Sequence, residues 1–123
     1  MEKNELFRCR VHYYGTTIGN SFWKRYKDDE FFFRDDGELR LTRTSLYFRR
    51  YLTLKPIKIP IKKVRAISTG RGHAGKFTLK PVFKIHWLRD ETELVSGFSI
   101  YGTLKDILNF QRKLIKVSKA KFL

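Results

Sequence analysis

The chain has 123 residues, of which 41% are hydrophobic and 15% aromatic. That is enough apolar material for one packed core and too much for a disordered chain. Its 27 Lys and Arg against 12 Asp and Glu leave a net charge of +15 at pH 7, which disfavours cationic partners and favours nucleic acid, an anionic membrane or an acidic protein.

In chain order, the N-terminal run MEKNELFRCRVHYY carries charges where a signal peptide would be apolar. No segment reaches the ~20 apolar residues that cross a bilayer. The lone Cys9 has no internal disulfide partner and fits a reducing compartment. The expected location is the cytoplasm, with peripheral attachment to the cytoplasmic face of a membrane. Residues 1–29 are the least legible part: Leu6–Tyr14 reads as a strand, Gly15–Asn20 as a loop, and Phe22–Tyr26 fits neither pattern.

From residue 30 the chain reads as closely spaced strands. Glu30–Arg34 meets Asp35-Asp36-Gly37, a hairpin-turn signal. Glu38–Thr42 alternates, with Leu39 and Leu41 on one face, and Ser45–Arg49 continues with Leu46 and Phe48 inward. Pro56 and Pro60 bracket Ile57-Lys-Ile59, which suits an edge or a bent strand. Strands follow over Val64–Thr69, Pro81–Leu88 and Thr92–Phe98, with a turn at Arg89-Asp90-Glu91. Phe83, Ile85 and Trp87 share one face, and Lys84 and His86 the other.

Then the period changes. Thr103-Leu-Lys-Asp106 has the form of a helix N-cap with an acid at the third helical position. At 100° per residue, Leu104, Ile107, Leu108, Phe110, Leu114, Ile115 and Val117 gather on one broad side. Lys105, Asn109, Arg112, Lys113, Lys116 and Lys119 take the other. The expectation is a helix whose apolar side covers the sheet, with a membrane-lying helix as the alternative. The fold class is therefore mainly β with one C-terminal α-helix: a bent antiparallel sheet or half-open barrel capped by that helix, in one domain over 1–123.

The stretch Gly70-Arg-Gly-His-Ala-Gly75-Lys76 comes within one residue of the phosphate-cradling pattern G-x-x-x-x-G-K-[ST]. Phe77 stands where Ser or Thr would hold Mg²⁺, and Pro81 blocks the helix that should follow. A strand–loop–strand is expected instead, with no ATP bound. Positive charge peaks here all the same: residues 61–90 hold eight Lys and Arg against one Asp. The candidate anion site is Lys62, Lys63, Arg65, Arg71, His73, Lys76, Lys80 and Lys84, with Gly70, Gly72 and Gly75 letting backbone N–H groups converge. A flexible, solvated loop is the alternative.

No catalytic or metal constellation is expected. His12, His73 and His86 are scattered, Cys9 has no zinc spacing, and no cofactor motif survives. Arg49 and Arg50 beside Tyr47 and Tyr51 raise a nucleic-acid alternative, without an RNA-recognition signature.

At Gly37-Glu-Leu-Arg-Leu-Thr-Arg-Thr-Ser-Leu-Tyr-Phe48 the sequence resembles the pleckstrin-homology (PH) superfamily, more narrowly its GRAM-type and prokaryotic PH-like domains. Their shared pattern is a Gly, alternating apolar residues, a Thr at the bend, then Leu-x-Phe. Ile59-Pro-Ile61 followed by Val64 matches the family's I-P-L-x-x-I step, and the helix after Phe98 matches its C-terminal helix. Gly70–Ile85 also resembles the GLUE subgroup of the endosomal sorting machinery. The resemblance covers about residues 30–118, leaving 1–29 as N-terminal strands or loop. It implies seven strands closed by a helix. It also implies a binding module for phosphoinositide or other anionic headgroups, or for proteins, ubiquitin among them for GLUE-type domains. One departure stands out: lipid-binding relatives carry cations on the first hairpin loop, whereas the clearest early hairpin tip, Asp35-Asp36-Gly37, is acidic, the alternative being a first hairpin within residues 6–26.

Overall fold

The computed structural model describes residues 5–19, 35–51, 56–73 and 76–122. These form strands β1 (Glu5–Ile18), β2 (Asp35–Thr42), β3 (Ser45–Arg50) and β4 (Ile57–Pro60), then a 3-10 turn (Ile61–Lys63). Strands β5 (Val64–His73), β6 (Lys76–Arg89) and β7 (Thr92–Ile100) follow, then helix α1 (Leu104–Ser118) and a two-residue strand β8 (Lys121–Phe122). They build one open sheet in the order β4-β3-β2-β1-β7-β6-β5-β8. Every pairing is antiparallel except β5 with β8.

The alternating residues behave as their period predicts. Leu39, Leu41, Leu46, Phe48, Phe83, Ile85 and Trp87 are all buried in one core cluster. Phe48 on β3 and Phe98 on β7 bring their ring centroids to 5.4 Å. Three strand spacings, about 14 Å, separate β3 from β7, and the two side chains lean towards each other over the inner face. Phe110 and Leu114 of α1 close it. Inside, a chain of hydroxyls satisfies the buried polar groups: Tyr13 Oη lies 2.5 Å from Thr16 Oγ1, Thr16 Oγ1 2.7 Å from Ser96 Oγ, and Trp87 Nε1 donates to Ser96 Oγ at 3.0 Å. Ile57–Pro60 is an edge strand, one of the two forms that the prolines predict.

Three expectations are corrected. Asp35-Asp36-Gly37 is no hairpin tip: Asp35, Asp36 and Gly37 pair with Tyr13, His12 and Val11 inside the sheet. Long-range pairing overrides the local turn signal, because Asp36 gains His12, Tyr101 and Arg10 as donors. Gly15–Ile18 is not loop either, since it continues β1 against β7 beyond an irregularity between Tyr13 and Gly15. The strand Glu30–Arg34 and the segment Phe22–Tyr26 lie outside the described residues. Third, Leu104 and Leu108 stand 70% and 52% exposed. At 100° per residue Phe110 and Leu114 fall about 240° and 280° from Leu104, whereas Leu108 falls only about 40° from it, so the two exposed leucines lie at one edge of the arc.

The helix start is as expected. Asp106 N–H donates to Thr103 Oγ1 at 3.3 Å, and Thr103 N–H donates to Asp106 Oδ2 at 2.9 Å. The bond from Thr103 N–H, joined by one from the Thr103 hydroxyl, holds the Asp106 carboxyl below the usual carboxylate range. At the other end Lys119 adopts a left-handed φ of 55° and its N–H caps Ile115 O. The β6–β7 turn uses Asp90 and Glu91 at φ 48° and 68°, a two-residue hairpin of the twist that strands favour.

The outer face of β7 is also covered. Val95, Gly97 and Ser99 are buried there because the β5–β6 hairpin folds back and lays the His73 ring over Gly97. A Cβ on Gly97 would stand 2.5 Å from His73 Cδ2 and 2.8 Å from Cγ. Gly97→Ala should therefore displace a ring pinned by two hydrogen bonds and cost ~1–3 kcal/mol, the usual range for overpacking. A urea midpoint equal to wild type would show that the ring moves aside freely.

Candidate anion-binding site

The sequence-predicted cations do not form one cluster. Lys62 and Lys63 lie in the 3-10 turn and Arg65 just inside β5, all exposed, whereas Arg71 lies near the far end of the same strand. Arg65 and Arg71 are separated by six residues, about 20 Å of extended chain. Lys84 sits with the far group, because a Cβ on Gly70 would touch its Cε at 3.2 Å. Lys76 opens β6 in register with His73, and Lys80 lies further along the same strand. Lys76 therefore begins a strand, not the helix that a nucleotide loop requires.

His73 departs furthest from expectation. It is 2% exposed, and its Nε2–H is shared between Gly15 O at 3.1 Å and Val95 O at 2.9 Å. Burial, with Lys84 nearby, pushes its pKa down to about 4. A neutral ring bound to backbone carbonyls is packing, not an anion ligand. His86 is similarly placed: buried, bonded to Ser68 Oγ at 2.8 Å, with its pKa lowered by desolvation.

The structure brings a different set together. Between the C-terminal half of α1 and the edge of the sheet run two adjoining clefts of about 400 and 570 Å³, which share Arg43 and Val117. Lys113 and Lys116 line the first, Lys58 and Lys62 the second. The five cations come from the β2–β3 turn, β4, the 3-10 turn and α1. Among the described residues no carboxylate lines either cleft. Thr44, Ser45 and Ser118 add polar side chains, and Leu6, Pro60 and Ile61 an apolar floor.

Two of the lysines are positioned by their neighbours. Lys113 Nζ donates to Leu6 O at 2.9 Å and lies 5.8 Å from the Phe7 ring centroid. Lys58 Nζ lies 5.9 Å from the Tyr47 ring centroid. A concave site with five positive charges and no internal counter-charge is suited to a polyanion. Only Lys62 belongs to the sequence-predicted set. The other four are spread from residue 43 to 116, and their one sequence signal is the i,i+3 spacing of Lys113 and Lys116 on the basic side of the helix.

A comparison with protein families bears directly on this arrangement. The model of the family described as bacterial PH domain-like matches residues 1–105. The chain belongs to the bacterial PH domain-like family. No curated protein matches it. The match runs from β1 through β7 and ends in the first turn of α1, so Arg43, Lys58 and Lys62 lie within it and Lys113 and Lys116 beyond it. Domains of this family type are generally binding modules for lipids or proteins rather than enzymes.

One constellation nonetheless has the outline of a catalytic relay. Asp36, His12 and Ser99 stand side by side on β2, β1 and β7. His12 Nδ1 bonds Asp36 Oδ1 at 2.7 Å, which is the largest cause of the lowered Asp36 pKa. The relay stops there. Ser99 is buried and its hydroxyl donates to Pro81 O at 2.9 Å, so its proton is committed to a carbonyl. His12 Nε2 is buried with no hydrogen-bond partner among the described residues. A nucleophile needs the hydroxyl bonded to the base, and this geometry does not provide it. Among the described residues no three His, Cys, Asp or Glu gather to hold a metal ion.

Proposed function

We propose that the chain is a non-catalytic PH-like module that attaches to an anionic membrane surface, on its cytoplasmic face, by seating phosphate-bearing headgroups in the cationic clefts beside α1. The observation that carries the reading is the convergence of Arg43, Lys58, Lys62, Lys113 and Lys116 around a concave surface without a carboxylate among its described lining. Family membership supports binding over catalysis, and the net charge of +15 supports an anionic target. Among the described residues no helix is long and apolar enough to cross a membrane.

The test compares two charge reversals on phosphatidylserine-containing vesicles at near-physiological salt. Each Lys or Arg near an anionic surface is worth ~1 kcal/mol, and a decade of affinity is about 1.4 kcal/mol. Arg43→Glu with Lys62→Glu should therefore weaken binding by more than about tenfold, and the loss should shrink as salt is raised. Arg71→Glu with Lys76→Glu, at the far end of β5, should weaken it much less. Equal losses would indicate diffuse charge rather than a site. Tight single-stranded RNA binding beside weak vesicle binding would assign the charge to nucleic acid. Salt-insensitive ubiquitin binding without lipid affinity would assign the module to protein sorting.

A further inference from the structure

The outward face of α1 is not the polar surface expected of a helix that merely caps a core. Leu104, Lys105, Leu108, Arg112 and Lys116 are all exposed. At 100° per residue they fall within an arc of about 120°, and from 104 to 116 they extend along about 18 Å of helix. Phe110 and Leu114, opposite, are buried in the core. The helix is thus apolar on two sides: one side packs under the sheet, and the other presents two leucines one turn apart, flanked along one side by three cations.

The nearest acid on the helix, Asp106, is turned away from this face. It accepts hydrogen bonds from Thr103 N–H and Thr103 Oγ1 at 2.9 and 3.0 Å, closing the N-terminal cap. What covers such a face must accept apolar side chains and supply negative charge around them. A bilayer with anionic headgroups does both: leucines enter the acyl boundary while Lys and Arg stems lie along it with their heads at the phosphates. Lys116 connects this face to the clefts, since it lines one of them. A membrane lying against the outer face of α1 therefore also reaches the headgroup site.

We propose that α1 is a second membrane contact, in which Leu104 and Leu108 insert into an anionic bilayer while Lys105, Arg112 and Lys116 engage its headgroups. This rests on the reading above that the target is an anionic membrane. It adds an apolar, salt-resistant component to a module otherwise held by charge.

Wild-type protein, the Leu104→Ser/Leu108→Ser variant and a Leu108→Trp variant are titrated with phosphatidylcholine–phosphatidylserine vesicles and with phosphatidylcholine alone, at low and high salt. Both leucines are exposed, so all three proteins should melt alike. The serine pair should bind phosphatidylserine vesicles at least about tenfold more weakly than wild type, and the difference should persist at high salt, because area burial is not screened. The tryptophan at 108 should shift its emission to the blue on the same vesicles. If wild type binds the vesicles and the serine pair binds equally well, with no emission shift, the insertion is overturned and the charge-based reading stands. If wild type does not bind them, both fall. If wild type is a dimer in solution that the serine pair dissolves, the face belongs to a second copy of the chain and the insertion is overturned.

Discussion

Leu114→Asp should unfold the protein under conditions in which Leu108→Asp leaves it folded. Leu114 is 0% exposed, in the same cluster as Phe110 and the inner face of the sheet. An aspartate there is either an unpaired buried charge or a carboxyl forced to stay protonated, and either costs several kcal/mol. Domains of this size have only ~5–15 kcal/mol to lose. Leu108 sits six residues earlier on the same helix and faces solvent. Its replacement should cost about 0.5 kcal/mol in helix propensity. Denaturant titration followed by far-ultraviolet circular dichroism separates the two. Comparable losses for both variants would mean that the N-terminal half of α1 packs as tightly as the C-terminal half, and would also remove the basis for the insertion of Leu104 and Leu108.

The second large effect is loss of stability in mild acid. In the unfolded chain His73 takes up a proton near its ordinary pKa of about 6.5; in the folded protein burial depresses that value to about 4. The unfolded state therefore binds more protons across this window, and stability must fall as the pH drops through it. His73 contributes its full stabilisation above about pH 6.5 and loses it progressively towards pH 4. At about 1.4 kcal/mol per pH unit the loss approaches ~3 kcal/mol at pH 4. His86, also lowered by burial, adds to the same slope. Asp36 and Asp106, whose pKa values lie below the ordinary 3.8, act at still lower pH. His73→Gln keeps a donor for Gly15 O and Val95 O without a titrating ring. Its stability should be lower at neutral pH and should vary less between pH 7 and 4. Parallel slopes for wild type and variant would show that His73 does not carry the acid sensitivity.

The acid result would define what the histidine of the Gly70–Gly75 segment does. The segment was conspicuous in the sequence as a phosphate loop, then as a cationic one. In the structure its histidine fastens a hairpin over β1 and β7, through Gly15 O, Val95 O and the bare backbone of Gly97. Gly70 to His73 continue strand β5 where the sequence suggests a loop, and residues 74 and 75 lie outside the described residues. The partner of the histidine is 58 residues away along the chain, at Gly15, and no local pattern points to it.

What the sequence determined by itself is what depends on neighbours a few residues apart. Alternation of period two placed Leu39, Leu41, Leu46, Phe48, Phe83, Ile85 and Trp87 inward, and each is buried. Two prolines marked Ile57-Lys-Ile59 as an edge or a bent strand, of which it is the edge, and Thr103 with Asp106 set the start of the helix. Tertiary structure decided the rest, because it depends on which distant segments share a surface. Pairing with β1 drew Asp35–Gly37 into a strand against its own turn propensity. The seating of α1 against the sheet determined that Phe110 and Leu114 are covered while Leu104 and Leu108 are not. Charge shows the same division: the count of cations is a property of the chain, but their convergence is not. Arg43, Lys58, Lys62, Lys113 and Lys116 come from four elements, and only the closing of the helix against the sheet edge brings them around two adjoining clefts.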